Sequence, residues 1–246
     1  MGLLLRAFGE SAELTIKKRA RLILDIHLEV SSILQNYKWT LLNRKTAVID
    51  IREKEESYHV VLSQVKQGLN AKVSKPIRYK EEDTADISNK CDFYEKENLK
   101  GIVVNYFLGY PSEHFHGSMF GIERINLFTI LSKVHLDQIV KLIIRRFNPL
   151  FLSLVETEFF RNVSKAYEAK IPWTGCFTYI SKEVFDGEFP KTFRVDVVEQ
   201  FGQIVYTAKQ DINGFYEIDK DLALELEHFL IERKVKVKCK KAAPNN

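Results

Sequence analysis

The chain contains little of the two residues that most often interrupt regular structure, with 11 glycines and six prolines in 246 residues. This scarcity excludes collagen-like and low-complexity chains. The sequence also lacks GxxxxGK[ST] and GxGxxG, the glycine patterns that hold phosphates. It has no HExxH and no nucleophile-elbow motif either. We therefore expect no cofactor and no enzymatic activity.

Cysteine is also scarce. Cys91, Cys176 and Cys239 are far apart, which leaves no disulfide framework and no paired-cysteine zinc site. Such usage is typical of the reducing cytoplasm. We predict that Cys176 is a core thiol, because aromatic residues surround it, whereas Cys91 falls in a polar segment where it could be exposed. No apolar run has the length of a membrane span, so we expect no membrane partner.

The excess of positive charge is confined to the C-terminus. The chain has 37 basic and 33 acidic residues, but residues 233–246 carry six of the basic residues and no acid. Residues 1–232 therefore hold 31 basic and 33 acidic residues, a net charge of −2. We predict a basic, flexible tail over 234–246. One alternative function is a nucleic-acid-binding module that uses this tail; otherwise no direct nucleic-acid contact is expected.

The apolar content, 45% of the residues, is sufficient for a substantial core. Apolar residues spaced by three and four predict a long helix from Glu10 or Ser11 to about Asn36. They predict further helices over Glu55–Leu69, Leu136–Phe147, a short segment containing Phe159, and Asp219–Arg233 with Asp219 as the N-cap.

Strands are predicted from β-branched and aromatic runs. The predicted strands are Leu3–Phe8, 101–110, 122–131, Phe151–Val155, Thr174–Ser181, Phe193–Val198 and Gln203–Ala208. Residues 46–51 fit a strand or a helical entry, 71–98 a long polar loop, and 111–121 a turn. The order predicts an α+β fold, with mainly antiparallel sheets flanked by amphipathic helices. We expect one domain over 1–233, with 1–98 and 99–233 as alternative halves.

Two groups of polar residues are candidate sites. His114 and His116 lie two residues apart, so on a strand both could reach one metal, with Glu113, Glu123 or His135 as a third ligand. An enzyme with a metal-assisted hydrolytic site here is the second alternative function. Acidic residues could instead contact a cationic partner. The candidate partner-binding residues are Glu81, Glu82, Asp83, Asp86, Tyr110, His114 and His116.

The order of short motifs resembles the immunity protein 52 family of bacterial polymorphic toxin and type VI secretion systems. The motifs are Phe8-Gly9-Glu10-Ser11 before the long helix, Trp39 after it, the aromatic strands of 101–131, Asn148-Pro149, Gly175-Cys176-Phe177-Thr178-Tyr179-Ile180-Ser181, and the strand pair and helix of 193–233. Phe8 and Cys176 depart from the pattern, because tryptophan is usual at the first position and frequent at the second.

The resemblance implies a non-enzymatic antitoxin. Such a protein binds a cognate toxin effector, often a nuclease domain, and occludes its active site in the cell that makes the toxin. Acidic and aromatic contacts would suit a basic nuclease cleft. The slightly acidic body of residues 1–232 is consistent with that partner, and the sequence leaves a homodimer open.

Overall fold

The computed structural model describes residues 3–10, 14–41, 48–70, 80–83, 89–94, 102–111, 116–125, 133–210 and 216–236. The helices are α1 Ile16–Ile33, α2 Lys54–Asn70, α3 Lys133–Phe147, α4 Thr157–Asn162, α5 Ala166–Ala169 and α6 Lys220–Glu232. The strands are β1 Leu3–Glu10, β2 Lys38–Leu41, β3 Val48–Asp50, β4 Asn89–Tyr94, β5 Val103–Pro111, β6 His116–Ile125, β7 Phe151–Glu156, β8 Phe177–Ser181, β9 Arg194–Val198, β10 Gly202–Tyr206, β11 Ala208–Gln210 and β12 Tyr216–Ile218.

The predicted α+β class is confirmed. Within separate parts of the described chain, strands are hydrogen-bonded in the orders β3-β2-β4-β5 and β1-β7-β8-β10-β9, and β11 pairs with β12. The pairs β1–β7, β7–β8, β8–β10 and β9–β10 are antiparallel, as are β2–β3, β2–β4 and β4–β5. The described chain divides into two compact units, which we call the α1–α2 unit (10–120) and the β7–β10 unit (3–9 with 121–236).

In the α1–α2 unit, the long helix starts later than its apolar periodicity suggested. Thr15 is the N-cap of α1, and its side chain accepts a hydrogen bond from the Lys18 backbone N–H. The predicted start at Glu10 or Ser11 is wrong, because Glu10 is the last residue of β1 and Ser11 lies outside the described residues. The helix turns Ile16, Ile23 and other apolar side chains inward, all buried.

In the β7–β10 unit, the predicted cap of the last helix is confirmed, since the Asp219 side chain accepts from the Leu222 N–H. Leu226 and Leu230 of α6 pack in a cluster with Ile180 of β8 and Val205 of β10. The basic segment begins in this cluster, because Val235 is only 3% exposed. Residues 237–246 lie outside the described residues.

Two glycines allow strands and loops to approach closely. A Cβ at Gly175 would lie 2.1 Å from the Leu154 carbonyl oxygen, and a Cβ at Gly202 would lie 2.2 Å from the Ile180 carbonyl oxygen. Any larger residue would have to displace main chain at these positions. The close approach of the Leu154 carbonyl therefore explains why the motif 175–181 begins with glycine.

Because glycine is scarce, residues other than glycine follow the ends of four described helices. Gln35, Asn148, Lys170 and Lys234 each follow a helix with φ between 44° and 56°. This left-handed conformation is common after a helix, but glycine usually supplies it because an L side chain raises its energy. The chain thus ends four of its described helices with strained non-glycine residues.

We expect Gln35→Gly to raise the free energy of unfolding by about 0.5–1 kcal/mol, because glycine relieves the steric cost of φ 52°. Gln35 is exposed, so no packing is lost. Urea unfolding of the purified variant measures the change. Gln35→Ala is the matched control and should give no gain, because alanine keeps the Cβ. Equal stabilisation by both substitutions would contradict the explanation.

Candidate partner-binding surface

The acidic candidates are held at the N-terminus of α1. The backbone N–H of Lys17 donates to the Glu81 carbonyl oxygen at 2.9 Å, and that of Ile16 donates to the Asp83 carbonyl oxygen at 3.0 Å. The first N–H groups of a helix have no partner within the helix, so these carbonyls satisfy two of them. We call residues 80–83 the acidic turn. Asp86 lies outside the described residues.

The carboxylate side chains of the acidic turn differ in their exposure and in their hydrogen-bond partners. Glu81 accepts a hydrogen bond from the Tyr58 hydroxyl at 3.2 Å, and its other oxygen lies 3.9 Å from Lys66 Nζ. Asp83 accepts from the Lys80 backbone N–H at 2.7 Å. The Glu82 side chain is 73% exposed, with one contact of 3.5 Å to Lys17 Nζ. Glu82 is therefore the most accessible of the three carboxylates.

Tyr58 of α2 is a buried partner of the acidic turn. Burial, together with the charge and hydrogen bond of Glu81, raises the pKa of the Tyr58 phenol. The Arg21 guanidinium of α1 lies 4.6 Å from the centre of the Tyr58 ring. Tyr58 lies within the helix predicted over Glu55–Leu69, but nothing in the sequence pairs it with Glu81. No local spacing reveals this pairing, because the two residues are 23 positions apart in the chain.

The histidine and tyrosine candidates lie around β5 and β6. Tyr110 is in β5, and His116 is the first residue of β6. The predicted turn over 111–121 is wrong from residue 116 onward. Gly121, in the predicted turn, lies in β6, where an added Cβ would lie 2.6 Å from Arg6 Nη1. His114 lies outside the described residues, so its pairing with His116 stays a prediction.

Two suggested third metal ligands are described. Glu123 forms an ion pair with Arg6, and His135 is half-buried at the start of α3. Across the described part of the chain, no three His, Cys, Asp or Glu side chains are grouped so that they could hold a metal ion.

Both described cysteines are core residues. Cys176 is buried as predicted, and burial raises the pKa of its thiol to about 12. Cys91, which could be exposed if residues 71–98 formed a polar loop, instead belongs to β4 and is fully buried. Burial also raises the pKa of the Cys91 thiol. Both thiols are therefore protonated at neutral pH and are poor nucleophiles.

Comparison with known proteins finds a likeness in fold. No family model matches the chain, and no curated protein is similar to it in sequence. The solved structure of a Pseudomonas aeruginosa T6SS protein, PA0821, is similar with a TM-score of 0.55 and 9% sequence identity, over 98% of this chain and 76% of that chain. Membership of the immunity protein 52 family thus stays a prediction. None of the described helices is long and apolar enough to cross a membrane.

Proposed function

We propose that the protein is a cytoplasmic immunity protein, an antitoxin that binds a cognate bacterial toxin and blocks it without catalysis of its own. The observation that carries this proposal is the fold likeness to a T6SS protein over 98% of the chain. The likeness points to the same kind of secretion system as the motif order. The resemblance of the motifs to the immunity protein 52 family then supplies the role within that system.

The proposed mechanism is occlusion of the toxin by a rigid surface. Main-chain hydrogen bonds hold the acidic turn against α1, so binding orders little additional backbone. A preorganised surface loses less conformational entropy on binding than a flexible loop does. Exposed carboxylates such as Glu82 would also attract the basic cleft of a nuclease-type toxin and accelerate association.

Co-expression with the product of the neighbouring reading frame tests the proposal. We expect a stable complex on size-exclusion chromatography and rescue of cells from the toxicity of that product. No complex and no rescue would contradict the immunity function. Stoichiometric metal in the purified protein, lost in a His114→Ala/His116→Ala variant, would favour the hydrolytic alternative instead. Salt-dependent nucleic-acid binding that disappears when residues 234–246 are deleted would favour the third.

Charge reversal on the acidic turn tests where the toxin binds. We expect Glu82→Lys to weaken toxin binding about 3- to 10-fold at low salt, mainly through slower association, because exposed charges act on the encounter. The effect should shrink as salt screens it. Biolayer interferometry at two ionic strengths measures both rates.

The matched control is Glu188→Lys, an exposed glutamate between β8 and β9. It makes the same change in net charge within the β7–β10 unit. Equal slowing by both variants would show that only total charge matters and would remove the acidic turn from the interface.

A further inference from the structure

Strand β9 is an open edge of the sheet in the β7–β10 unit. Its residues pair with β10 from Arg194 to Val198, and no other described strand pairs with it. Natural edge strands are usually protected by short length, charged side chains, proline, a bulge or a covering segment. β9 has five residues and carries Arg194 and Asp196 but no lysine or proline, and the Val197 side chain is 70% exposed. The outer edge of β9 therefore offers N–H and C=O groups for pairing with another strand.

A cleft of about 420 Å³ lies beside this edge, between α3 and the β9–β10 hairpin. Phe177, Ile204 and Tyr206 contribute apolar surface to it. Arg194 and Asp196 of β9 also line it, and they share one face of the sheet because they are two residues apart. Val195 and Val197 point to the opposite face of the strand, and Val197 also borders the cleft. A strand added to β9 would direct alternate side chains to the cleft and to Val197.

Three acidic and three basic side chains line the cleft. Arg194 is paired with Asp196 at 3.1 Å, and its guanidinium lies 4.4 Å from the centre of the Tyr206 ring. Glu199 follows β9 at the rim of the cleft. On the α3 side, Asp137 is the first of the helix residues that line the cleft and the only one of them that is acidic.

Two cations follow Asp137 along α3. Lys141 and Arg145 line the cleft one helical turn apart, and both are exposed. Neither is within 4.0 Å of a carboxylate anywhere in the described chain. These two side chains are thus available to an acidic group that enters the cleft from outside.

We propose that the β9 edge and this cleft bind an extended segment of another polypeptide as an added strand. The segment alternates acidic and apolar residues. Its acidic side chains enter the cleft beside Lys141 and Arg145, and its apolar side chains cover Val197. Main-chain hydrogen bonds to β9 provide the affinity, while the alternate side chains provide the specificity. The inference goes beyond the proposed immunity function, since it does not require the partner to be a toxin.

A synthetic peptide tests this proposal with the full-length protein. The probe is a fluorescein-labelled heptapeptide of alternating Val and Glu, and fluorescence anisotropy measures its Kd. Two further peptides have the same sequence but are N-methylated at alternate residues, one at the odd and one at the even positions. We expect the peptide whose methyl groups face β9 to bind at least 10-fold more weakly. We expect a peptide of alternating Val and Lys to bind at least 10-fold more weakly. Equal binding of all four peptides, or none by any, would overturn the proposal.

Variants of the protein provide the second arm. Lys141→Glu/Arg145→Glu should weaken binding of the Val-Glu peptide at least 10-fold, whereas the control Arg161→Glu/Lys182→Glu, two exposed cations outside the cleft, should change it less than 2-fold. Loss on charge reversal with no effect of N-methylation would overturn strand addition. A concentration-dependent dimer in sedimentation, broken by Val197→Lys, would assign the edge to a second copy and likewise overturn the proposal. The peptide arms stand even if a variant misfolds.

Discussion

Replacement of Glu227 by alanine is expected to lower the free energy of unfolding by about 3 kcal/mol. Glu227 lies on α6 and is 2% exposed. Its carboxylate accepts hydrogen bonds from the Ser164 hydroxyl, the Lys165 N–H at 3.1 Å and the Thr174 hydroxyl at 2.7 Å. Alanine would leave these three donors without their acceptor, which costs more than the loss of one exposed hydrogen bond.

The carboxylate also joins elements that are distant in sequence. Ser164 donates to Glu227 and accepts from the Ala166 N–H at 3.2 Å, at the start of α5. Through Thr174 the same carboxylate contacts the segment that leads into β8. Because its members share one acceptor, the network is expected to fail together rather than bond by bond.

Urea unfolding of three variants tests this prediction. Glu227→Gln keeps one carbonyl acceptor and should cost about 1 kcal/mol. The control Glu232→Ala, at an exposed position of the same helix, should change stability by less than about 0.5 kcal/mol. Equal losses for Glu227→Ala and Glu232→Ala would contradict the role of the network.

The elements that could be predicted from sequence are those whose own residues carry the signal. Helix α3 repeats apolar residues from Leu136 to Ile144 that are buried in the structure, so its periodicity was sufficient. Helix α6 was equally clear, because Asp219 marks its start. Helix α3 starts three residues before the predicted Leu136 and ends at Phe147, as predicted.

Strand β4 could not be predicted from its own residues, because its character as a strand depends on pairing with β5. The polar loop expected over 71–98 is wrong at residues 89–94, where Asp92 opposes Asn105 of β5. Both residues are buried, and the Asn105 amide donates to Asp92 Oδ1 at 3.0 Å. A buried carboxylate in a strand makes the segment look like a solvated loop until the second strand is known. β2 was missed for a similar reason, since Trp39 is buried through contacts with other segments.

The candidate surface was predicted in composition but not in architecture. The acidity of residues 81–83 is evident from the sequence, but the two main-chain hydrogen bonds to α1 are not. Backbone carbonyls carry no sequence signature, so such an anchor becomes visible only in three dimensions. The β9 edge could not be predicted either, because which strand lies at a sheet edge depends on the order of the strands in the folded sheet.

His27 is a second buried polar group whose environment sets a measurable property. The residue lies on α1 and is fully buried. Its ring stacks on Phe93 with centroids 3.6 Å apart and meets Trp39 at 4.5 Å. Nδ1 lies 3.1 Å from the Tyr106 hydroxyl. In the described structure Nε2 has no hydrogen-bond partner, so a proton there would have no acceptor.

Burial lowers the pKa of His27 well below its ordinary value of 6.5. In the unfolded chain the residue titrates at its ordinary pKa, so below pH 6.5 the unfolded state binds more protons than the folded state. Stability from this group is therefore complete above pH 6.5 and is lost as the pH falls toward the lowered pKa. The loss approaches about 1.4 kcal/mol per pH unit at most.

Urea unfolding at several pH values between 7.5 and 5 should show this loss in the wild-type protein. His27→Gln should be less stable at neutral pH, because the stacking on Phe93 is lost, but its stability should depend less on pH by up to about 1.4 kcal/mol per unit. The control His59→Gln, an exposed histidine of α2, should keep the wild-type slope. An unchanged slope in His27→Gln would show that other groups set the acid sensitivity.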